Sequence, residues 1–504
     1  MQFAPQVILS EPANPDADKR LREFAHRLAK THEGALVPAR DTVVIFHPKK
    51  TTLLEYLPSW ELVLRNANAI FKAVPAKDLP VSRAGEWMLD NFYFVKQIFR
   101  QIEEDLPASY LDLLPKLDGT PLQGHPRPVS RDGTGTASLE PGLPRPVLEP
   151  GLPRIFALAR EWIGYSQSQI DLTQAAAFVQ EYQQVTPLTI GELWALPIML
   201  RIGILELLAC AAAELTGMDA PKSLSEIQSK FASPALANET IVANCFLSLR
   251  LLAATDWKDF FEQTSRVEQI LRDDPAEIYT GMDFDTRNSY RSVIEELARH
   301  SNFSEEQVAL VAVEFARSVD DKAPGRKAHV GFYLRDAGRA TLEASIRYQP
   351  GLSVRVRRAL LASPTATYLG SITILSVLFV LGLLTYATLS GGSLAQLIIV
   401  GVLGFGLALE AAITLVHWNV THFIKPQSLP RMDFSEGIPS GNRTMVVVPT
   451  LLESAGELNH LLQELELYYL SNPDPQLTYA LLTDFGDAPT QRMPEDEQLL
   501  ALAS

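Results

Sequence analysis

Five residues near the end of the chain could form a nucleotide-binding site, because they lie where two short apolar runs finish. These residues are Pro449, Thr450, Glu453, Asp484 and Asp487. A carboxylate at the end of a strand can accept hydrogen bonds from a base or a ribose, and this would suit a nucleotide ligand. The alternative is structural, since an aspartate after a strand often does no more than cap a turn.

The elements that would position these residues follow a strand–helix–strand pattern. Residues 444–452 (TMVVVPTLL) predict a strand, and Ser454 with Glu457 has the S-x-x-E form of a capping box. The helix that follows should end near residue 470, before an Asn-Pro-Asp-Pro break. Residues 477–483 (LTYALLT) predict a second strand that ends at the aspartates. A βαβ unit implies a parallel sheet, and ligands bind at the carboxyl ends of its strands.

A membrane hairpin is predicted by the longest apolar stretch of the chain. Residues 359–409 contain no Asp, Glu, Lys or Arg. The predicted hairpin occupies 359–424, and a Ser-Gly-Gly-Ser turn divides it into two spans, 368–389 and 394–418. About 20 apolar residues cross a bilayer as a helix. Basic residues flank both ends of the hairpin and the turn carries no charge, which predicts that both long arms are cytoplasmic.

One carboxylate, Glu410, lies inside the second predicted span. It could line a substrate path or face other membrane spans. The alternative is that the carboxylate reaches the membrane interface, or accepts a hydrogen bond from Ser371 or Thr373 at a similar depth on the first span.

The rest of the chain predicts a helical cytoplasmic domain over 41–350, after an N-terminal extension, 1–40, that has no features of a secretory signal. The run 189–215 is apolar but holds four charged residues, which predicts a mostly buried amphipathic helix rather than a span. A Pro- and Gly-rich insert, 123–153, includes most of a duplicated LEPGLPR sequence and predicts an expanded surface loop. Apolar residues recur at helical spacing in seven further segments: 60–74, 83–105, 174–185, 224–231, 244–254, 290–300 and 308–315.

Composition excludes several classes of protein. The chain has 504 residues, with 59 acidic and 44 basic side chains and a net charge of -15, so we expect no nucleic-acid partner. The two cysteines, Cys210 and Cys245, are too few for a disulfide framework or a thiolate zinc site and predict buried thiols of a reducing compartment. The sequence has no P-loop, GxGxxG, GxSxG or CxxC motif and no metal-ligand spacing, so no chemistry is visible in its first 350 residues.

The order and extent of several segments resemble the N-terminal portion of bacterial cyclic β-1,2-glucan synthases, up to a point inside the glycosyltransferase module. The resemblance covers nearly the whole chain except the first 40 residues and the insert. Besides the hairpin, it is carried by SWELVLRNANAIF, EWMLDNFYFVKQIFRQIEEDLP, TPLTIGELWALPIMLRI, YTGMDFDTRNSYRSVIEELAR, AHVGFYLRDAGRATLE and TMVVVPTLLESAGELNHLLQELELYYLSNPDPQLTYALLTDFGDA.

The resemblance implies a multi-pass enzyme of the bacterial inner membrane that takes glucose from UDP-glucose on the cytoplasmic side. It would lengthen a β-1,2-linked glucan with inversion of the anomeric configuration, in contact with membrane lipid, and a separate phosphorylase-like region would act on the glucan. The transferase would have a GT-A fold, whose first strand often ends in a Pro-Thr…Glu pattern, here Pro449, Thr450 and Glu453. Asp484 would contact the uracil or ribose, and the complete enzyme would use Mg²⁺ or Mn²⁺.

The chain departs from this pattern in its last segment, 440–504. A transferase of this type needs a metal-binding Asp-x-Asp and a base carboxylate, whereas Asp484 and Asp487 are spaced D-x-x-D and come early. We therefore expect this truncated start of the transferase domain to bind no metal and to be inactive alone. The alternatives are a non-catalytic membrane scaffold that pairs with a separate catalytic chain and, more weakly supported, a transport or sensor protein.

The predicted fold class is mainly α. It combines a helical cytoplasmic domain, a transmembrane helical hairpin and the first βαβ unit of an α/β GT-A-like glycosyltransferase domain.

Overall fold

The chain forms two compact units in a computed structural model. The first comprises Met1–Tyr279 and Asn288–Ile424, and the second comprises Thr280–Arg287 and Lys425–Ser504. The structure describes residues 15–37, 53–73, 83–117, 151–219, 221, 238–319, 325–424, 426, 429–490 and 493–503. The predicted helix at 224–231 lies outside these residues.

Most described residues of the first unit are helical. The helices are α1 Pro15–Glu33, α2 Leu57–Ala73, α3 Arg83–Asp105, α4 Ala108–Leu111, α5 Arg154–Tyr165, α6 Leu172–Gln183, α7 Ile190–Thr216, α8 Asn238–Ala254, α9 Trp257–Thr264, α10 Arg266–Leu271, α11 Phe284–Arg299 (its start lies in the second unit), α12 Glu305–Arg317, α13 Val330–Arg335, α14 Arg339–Ser345, α15 Leu352–Ala362, α16 Pro364–Leu389 and α17 Leu394–Phe423. Short 3₁₀ helices occupy Leu53–Glu55, Tyr279–Gly281 and Arg326–Ala328. Strands β1 (Leu36–Val37) and β2 (Lys116–Leu117) pair antiparallel. The helical segments predicted within the described residues are found. Helices α8 and α11 begin six residues before the predicted 244 and 290, and the other ends differ by at most three residues.

Helix α7 lies at the centre of the first unit, packed against α2, α5 and α8. Thr189 and Glu192 form a capping box at its start, and the helix continues through Pro197. It is long and apolar enough to cross a membrane, but 89% of its most apolar window is buried by protein. The prediction of a buried helix is confirmed, whereas the amphipathic pattern is wrong, because side chains on all sides of the helix are buried.

The charges of α7 are compatible with burial because arginines of α5 meet them. Arg154 and Glu192 form a fully buried ion pair, with Nε donating to Oε1 at 2.7 Å. Arg160 and Glu206 make a second pair at 3.5 Å. Breaking a buried pair by removing one partner costs about 3–5 kcal/mol, so these pairs hold α5 and α7 in register.

The end of the LEPGLPR duplication is part of the folded unit. Gly151 adopts a left-handed backbone (φ +84°), and the carbonyl of Leu152 accepts a hydrogen bond from the backbone of Leu117 at 3.0 Å. Arg154 begins α5 and donates its backbone N–H to Pro115 at 2.9 Å. The prediction of a surface loop is therefore wrong for 151–154, and the remainder of the insert lies outside the described residues.

Helices α16 and α17 form an antiparallel hairpin with the properties of two membrane spans. Each has a mean hydropathy of 2.2, and only 11% and 17% of their most apolar windows are buried by protein. The helices contain the predicted spans 368–389 and 394–418. Small residues spaced four apart allow the helices to approach closely. Gly404, Ala408 and Ala412 form this buried seam of α17.

The second unit contains the predicted βαβ pattern. Strand β3 (Thr444–Leu452) pairs in parallel with β4 (Leu477–Phe485), from Thr444 opposite Leu477 to Leu452 opposite Phe485. Helices α18 (Ala455–Ser471) and α19 (Asp496–Ala503) pack on one face of this pair, and a 3₁₀ helix spans Ser440–Asn442. The strand–helix–strand prediction is confirmed. Strand β4 runs two residues beyond the predicted 477–483.

One face of the two-stranded sheet is covered and the other is exposed. The small core of the unit consists of Leu452, Leu458 and Leu499. On the opposite face Met445, Val447, Leu451 and Leu482 are exposed. A sheet buries both faces only when a second layer is present, and the described part of this unit has one layer of helices.

Candidate functional site

The five predicted site residues lie at the carboxyl ends of β3 and β4 in the second unit. We call this group of residues the strand-end edge. Pro449 is opposite Leu482, Thr450 opposite Thr483, and Leu451 opposite Asp484. The strand-pairing register thus brings the two predicted groups of residues to the same place. The position of Asp484 is a correction, because β4 extends to Phe485 and Asp484 lies inside the strand rather than after it.

Side chains at this edge alternate between the two faces of the sheet. Paired residues of parallel strands project to the same face, and successive residues project to opposite faces. Thr450 and Thr483 therefore lie on the face that α18 and α19 cover, whereas Pro449, Leu451 and Asp484 lie on the exposed face. A ligand that contacts Asp484 would lie against this apolar face.

The side chain of Glu453, which follows β3, packs against the loop that follows β4. A Cβ added to Gly486 would lie 3.6 Å from Cγ of Glu453 and 3.8 Å from its Oε1, so the Glu453 side chain lies against the loop between Asp484 and Asp487. The start of α18 holds this arrangement, since the Ser454 hydroxyl accepts a hydrogen bond from the N–H of Glu457 at 3.3 Å. This is one half of the predicted capping box.

The three carboxylates of the edge are exposed. Glu453, Asp484 and Asp487 are open to solvent, and Asp484 Oδ1 accepts a hydrogen bond from the backbone N–H of Phe485 at 2.8 Å. Exposed carboxylate oxygens have free lone pairs and can accept hydrogen bonds from ribose hydroxyls or from the N–H of a base. Gly486, which packs against Glu453, was not among the five residues predicted from the sequence.

The strand-end residues do not fit the divalent cation that the resemblance implies. Within the described parts of the chain, no group of three or more His, Cys, Asp and Glu side chains is placed to hold a metal ion. A cavity of about 390 Å³ in the second unit lies at the opposite, amino-terminal ends of the strands, beside Thr444 and Gln476. The edge can therefore offer hydrogen-bond acceptors to a ligand but does not enclose one.

Glu410 is on the exposed side of the hairpin. It lies in a shallow groove of α17 with Thr414 and Trp418. The hydroxyl groups of Ser371 and Thr373 donate to backbone carbonyls of their own helix, at 2.7 and 2.8 Å, and not to Glu410. Glu410 therefore faces away from α16. The interpretation that it faces other spans or a substrate path stays a prediction.

The chain is similar to a curated protein of known activity. No family model matches the chain. The chain is 27% identical to the cyclic beta-(1,2)-glucan synthase NdvB of Rhizobium meliloti (strain 1021) in an alignment of 506 residues, which covers 84% of this chain. The chain spans about 16% of the length of that curated relative. The resemblance inferred from the sequence segments is thus confirmed as a similarity to a cyclic glucan synthase.

Proposed function

We propose that this chain is part of a membrane-bound glucosyltransferase that polymerises glucose from UDP-glucose into cyclic β-1,2-glucan. The observation that carries the proposal is the similarity to the Rhizobium meliloti synthase over 84% of the chain. Two exposed apolar helices and a parallel βαβ unit are compatible with a transferase attached to a membrane.

In this proposal the strand-end edge contributes to the donor site. Helices α16 and α17 cross the inner membrane, and the rest of the first unit and the whole second unit lie on the cytoplasmic side. Glu453 and Asp484 contact the nucleotide of UDP-glucose. Pro449 and Asp487 shape the edge, and Thr450, on the covered face, helps to hold the end of β3 in place. The described residues provide no cation site, so further polypeptide supplies the metal ligands, the base and the other layer of a GT-A-like domain.

The test is a synthesis assay with the intact gene product in membranes. Incubation with labelled UDP-glucose should give a neutral β-1,2-linked glucan. We expect Asp484→Asn to raise the KM for UDP-glucose about tenfold, which corresponds to about 1.4 kcal/mol for a lost hydrogen bond to a charged group. Glu466→Gln is the matched control, because Glu466 is an exposed carboxylate of α18 away from the edge.

Each outcome bears on a different part of the proposal. If the wild-type membranes make no glucan, the proposed activity is wrong. If they do and Asp484→Asn behaves like Glu466→Gln, the activity stands and Asp484 has no role in donor binding. Should a tagged copy of this chain co-purify with a separate transferase chain instead, the scaffold alternative would replace the proposal.

A further inference from the structure

A cleft in the first unit lies between the start of α7, the end of α11, the start of α12 and the segment that follows α4. Its volume is about 490 Å³, within the range of about 300–1,000 Å³ that small-molecule sites occupy. It is far in sequence from the strand-end edge, and no motif in the first 350 residues indicated it.

Three polar side chains converge on the first turn of α7, at the wall of the cleft. The hydroxyl of Tyr110 donates to the carbonyl of Gly191 at 2.7 Å, and the N–H of Ile190 donates to Oε2 of Glu305 at 2.7 Å. A Cβ added at Gly191 would lie 3.7 Å from the Tyr110 hydroxyl oxygen and 3.8 Å from Oε1 of Glu295. The absence of a side chain at position 191 therefore keeps these polar groups accessible from the cleft.

The charges of the cleft do not favour an anionic ligand. Both arginines that line it are already paired: Arg299 donates to Glu295 at 2.6 Å, and Arg154 is paired with Glu192. The other carboxyl groups that line the cleft are Glu306, which is paired with Arg266 at 2.7 Å, and Glu305, and an anion would meet them with both lining arginines already engaged. Phosphate-bearing ligands, the sugar nucleotide included, are therefore disfavoured in this cleft.

Two groups in the cleft are neutral hydrogen-bonding groups at pH 7. Burial and, to a smaller extent, the nearby carboxylates of Glu295 and Glu192 raise the pKa of Glu305 to about 8, against the opposing hydrogen bond from Ile190. Burial, together with these carboxylates, raises the pKa of Tyr110 to about 12. A neutral carboxyl group at Glu305 can donate a hydrogen bond, and the Tyr110 hydroxyl, whose proton is donated to Gly191, can still accept one.

Apolar side chains form the remaining walls. They are Leu113, Leu114, Pro115, Leu188 and Phe303. A wholly apolar ligand would desolvate the polar groups of the cleft and add no hydrogen bond to those they already make, at a cost of about 1–3 kcal/mol for each group left with an unused donor or acceptor. A neutral polyhydroxy compound, whose rings have apolar faces and hydroxyl edges, satisfies both kinds of wall.

We propose that this cleft binds a neutral oligosaccharide. The proposal rests on the proposed function in one respect, namely that the oligosaccharide is a segment of the growing β-1,2-glucan. In that case the helical arm holds part of the glucan chain outside the transferase and limits its release between additions.

The test measures oligosaccharide binding to the purified full chain in detergent by titration calorimetry. The probes are a linear β-1,2-linked gluco-oligosaccharide, a β-1,4-linked gluco-oligosaccharide of the same length, and UDP-glucose. We expect the β-1,2-linked probe to bind and UDP-glucose not to bind in the cleft. Leu113→Trp, which places a larger side chain at the rim, should weaken the binding at least tenfold.

The matched control is Leu310→Trp. Leu113 and Leu310 are exposed to a similar degree, 46% and 48%, but Leu310 lies on α12 outside the cleft. A melting temperature close to that of the wild type shows that each variant is folded. A variant of Leu113 that fails this check is replaced by Leu113→Phe.

The outcomes separate the cleft from the proposed function. If neither oligosaccharide binds, or if Leu113→Trp leaves their binding unchanged, the cleft is not a sugar site. The result of the synthesis assay does not depend on this outcome. Preference for the β-1,4-linked probe, lost in Leu113→Trp, supports the sugar site and contradicts its link to β-1,2-glucan.

Discussion

At the scale of single residues, the carboxyl group of Glu305 has a strongly raised pKa. Its folded-state pKa of about 8 lies above the ordinary value of 4.5, because burial disfavours the charged form. The other titratable groups that face it are Glu192 and Tyr110, with Glu295 and Arg299 of α11. The pKa of Tyr110 lies near 12, so the tyrosine does not titrate in the same range.

The protonation of Glu305 predicts a pH-dependent stability. A raised folded-state pKa contributes stability that is fully present below pH 4.5 and is lost as the pH rises to about 8. The free energy of unfolding should fall by at most about 1.4 kcal/mol per pH unit in this window. Glu305→Gln keeps the hydrogen-bonding shape but does not ionise, so it should flatten the decline in melting temperature between pH 5 and pH 8.

The control for this experiment is Glu314→Gln on the same helix. Glu314 is exposed, and its replacement should leave the slope of the wild type unchanged. Parallel curves for the wild type and Glu305→Gln would show that Glu305 does not carry the proton.

Residues of the strand-end edge could be predicted from the sequence, whereas those of the cleft could not. Local signals, namely the β-branched runs and the points where they stop, predict the strand ends at Pro449, Thr450 and Asp484. The parallel pairing of β3 with β4 then brings these two strand ends together. Glu305 is 115 residues from its partner Ile190, and no periodicity links them. Long-range hydrogen bonds of this kind become visible only when the helices are packed.

At the scale of elements, the existence of the helices and the burial of α7 were predictable, whereas the helices that enclose α7 were not. The segment 83–105 coincides with α3 because its apolar spacing is strictly helical. Helix α7 has nearly the hydropathy of the two hairpin helices, 1.9 against 2.2, and differs from them in being enclosed by α2, α5 and α8. The recurrence of charged residues in α7 was the local signal of its burial in protein, since each buried charge needs a partner that lipid cannot provide.

The hairpin seam gives a prediction at the scale of elements. A Cβ at Gly404 would lie 2.8 Å from Cδ1 of Leu383, whereas a Cβ at Gly406 would have no neighbour within 4 Å. Gly404→Val should therefore separate α16 from α17 or force a shift that costs about 1–3 kcal/mol, and Gly406→Val should not. Disulfide formation between Ile372→Cys and Ala412→Cys, which pack together in the seam, measures the separation.

The two glycine variants serve as each other's control because both add the same β-branched side chain to the same helix. We expect the cross-link to form in the Gly406→Val background and to be reduced several-fold with Gly404→Val. Equal cross-linking in both backgrounds would contradict the close approach at Gly404.

At the scale of the whole molecule, the described chain presents apolar surface that it does not cover itself. The exposed helices α16 and α17 and the open face of β3 and β4 are of this kind. Lipid suits the helices, since their apolar residues point outwards around the full circumference outside the seam. The open face of β3 and β4 is apolar apart from Thr478 and Asp484. Parallel sheets are usually covered by protein on both faces, so this face suits a second protein layer better than lipid.

The membrane orientation predicted from flanking charge can be tested with cysteines. We expect Ser390→Cys, in the turn between α16 and α17, to react with a membrane-impermeant maleimide in intact spheroplasts. Ser440→Cys, after the hairpin, should react only when the membrane is opened. The native thiols need no replacement, because burial raises the pKa of both Cys210 and Cys245 to about 12 and keeps them protonated. Labelling of Ser440→Cys in sealed spheroplasts would contradict the cytoplasmic location of the second unit, and with it the access of its strand-end carboxylates to cytoplasmic UDP-glucose.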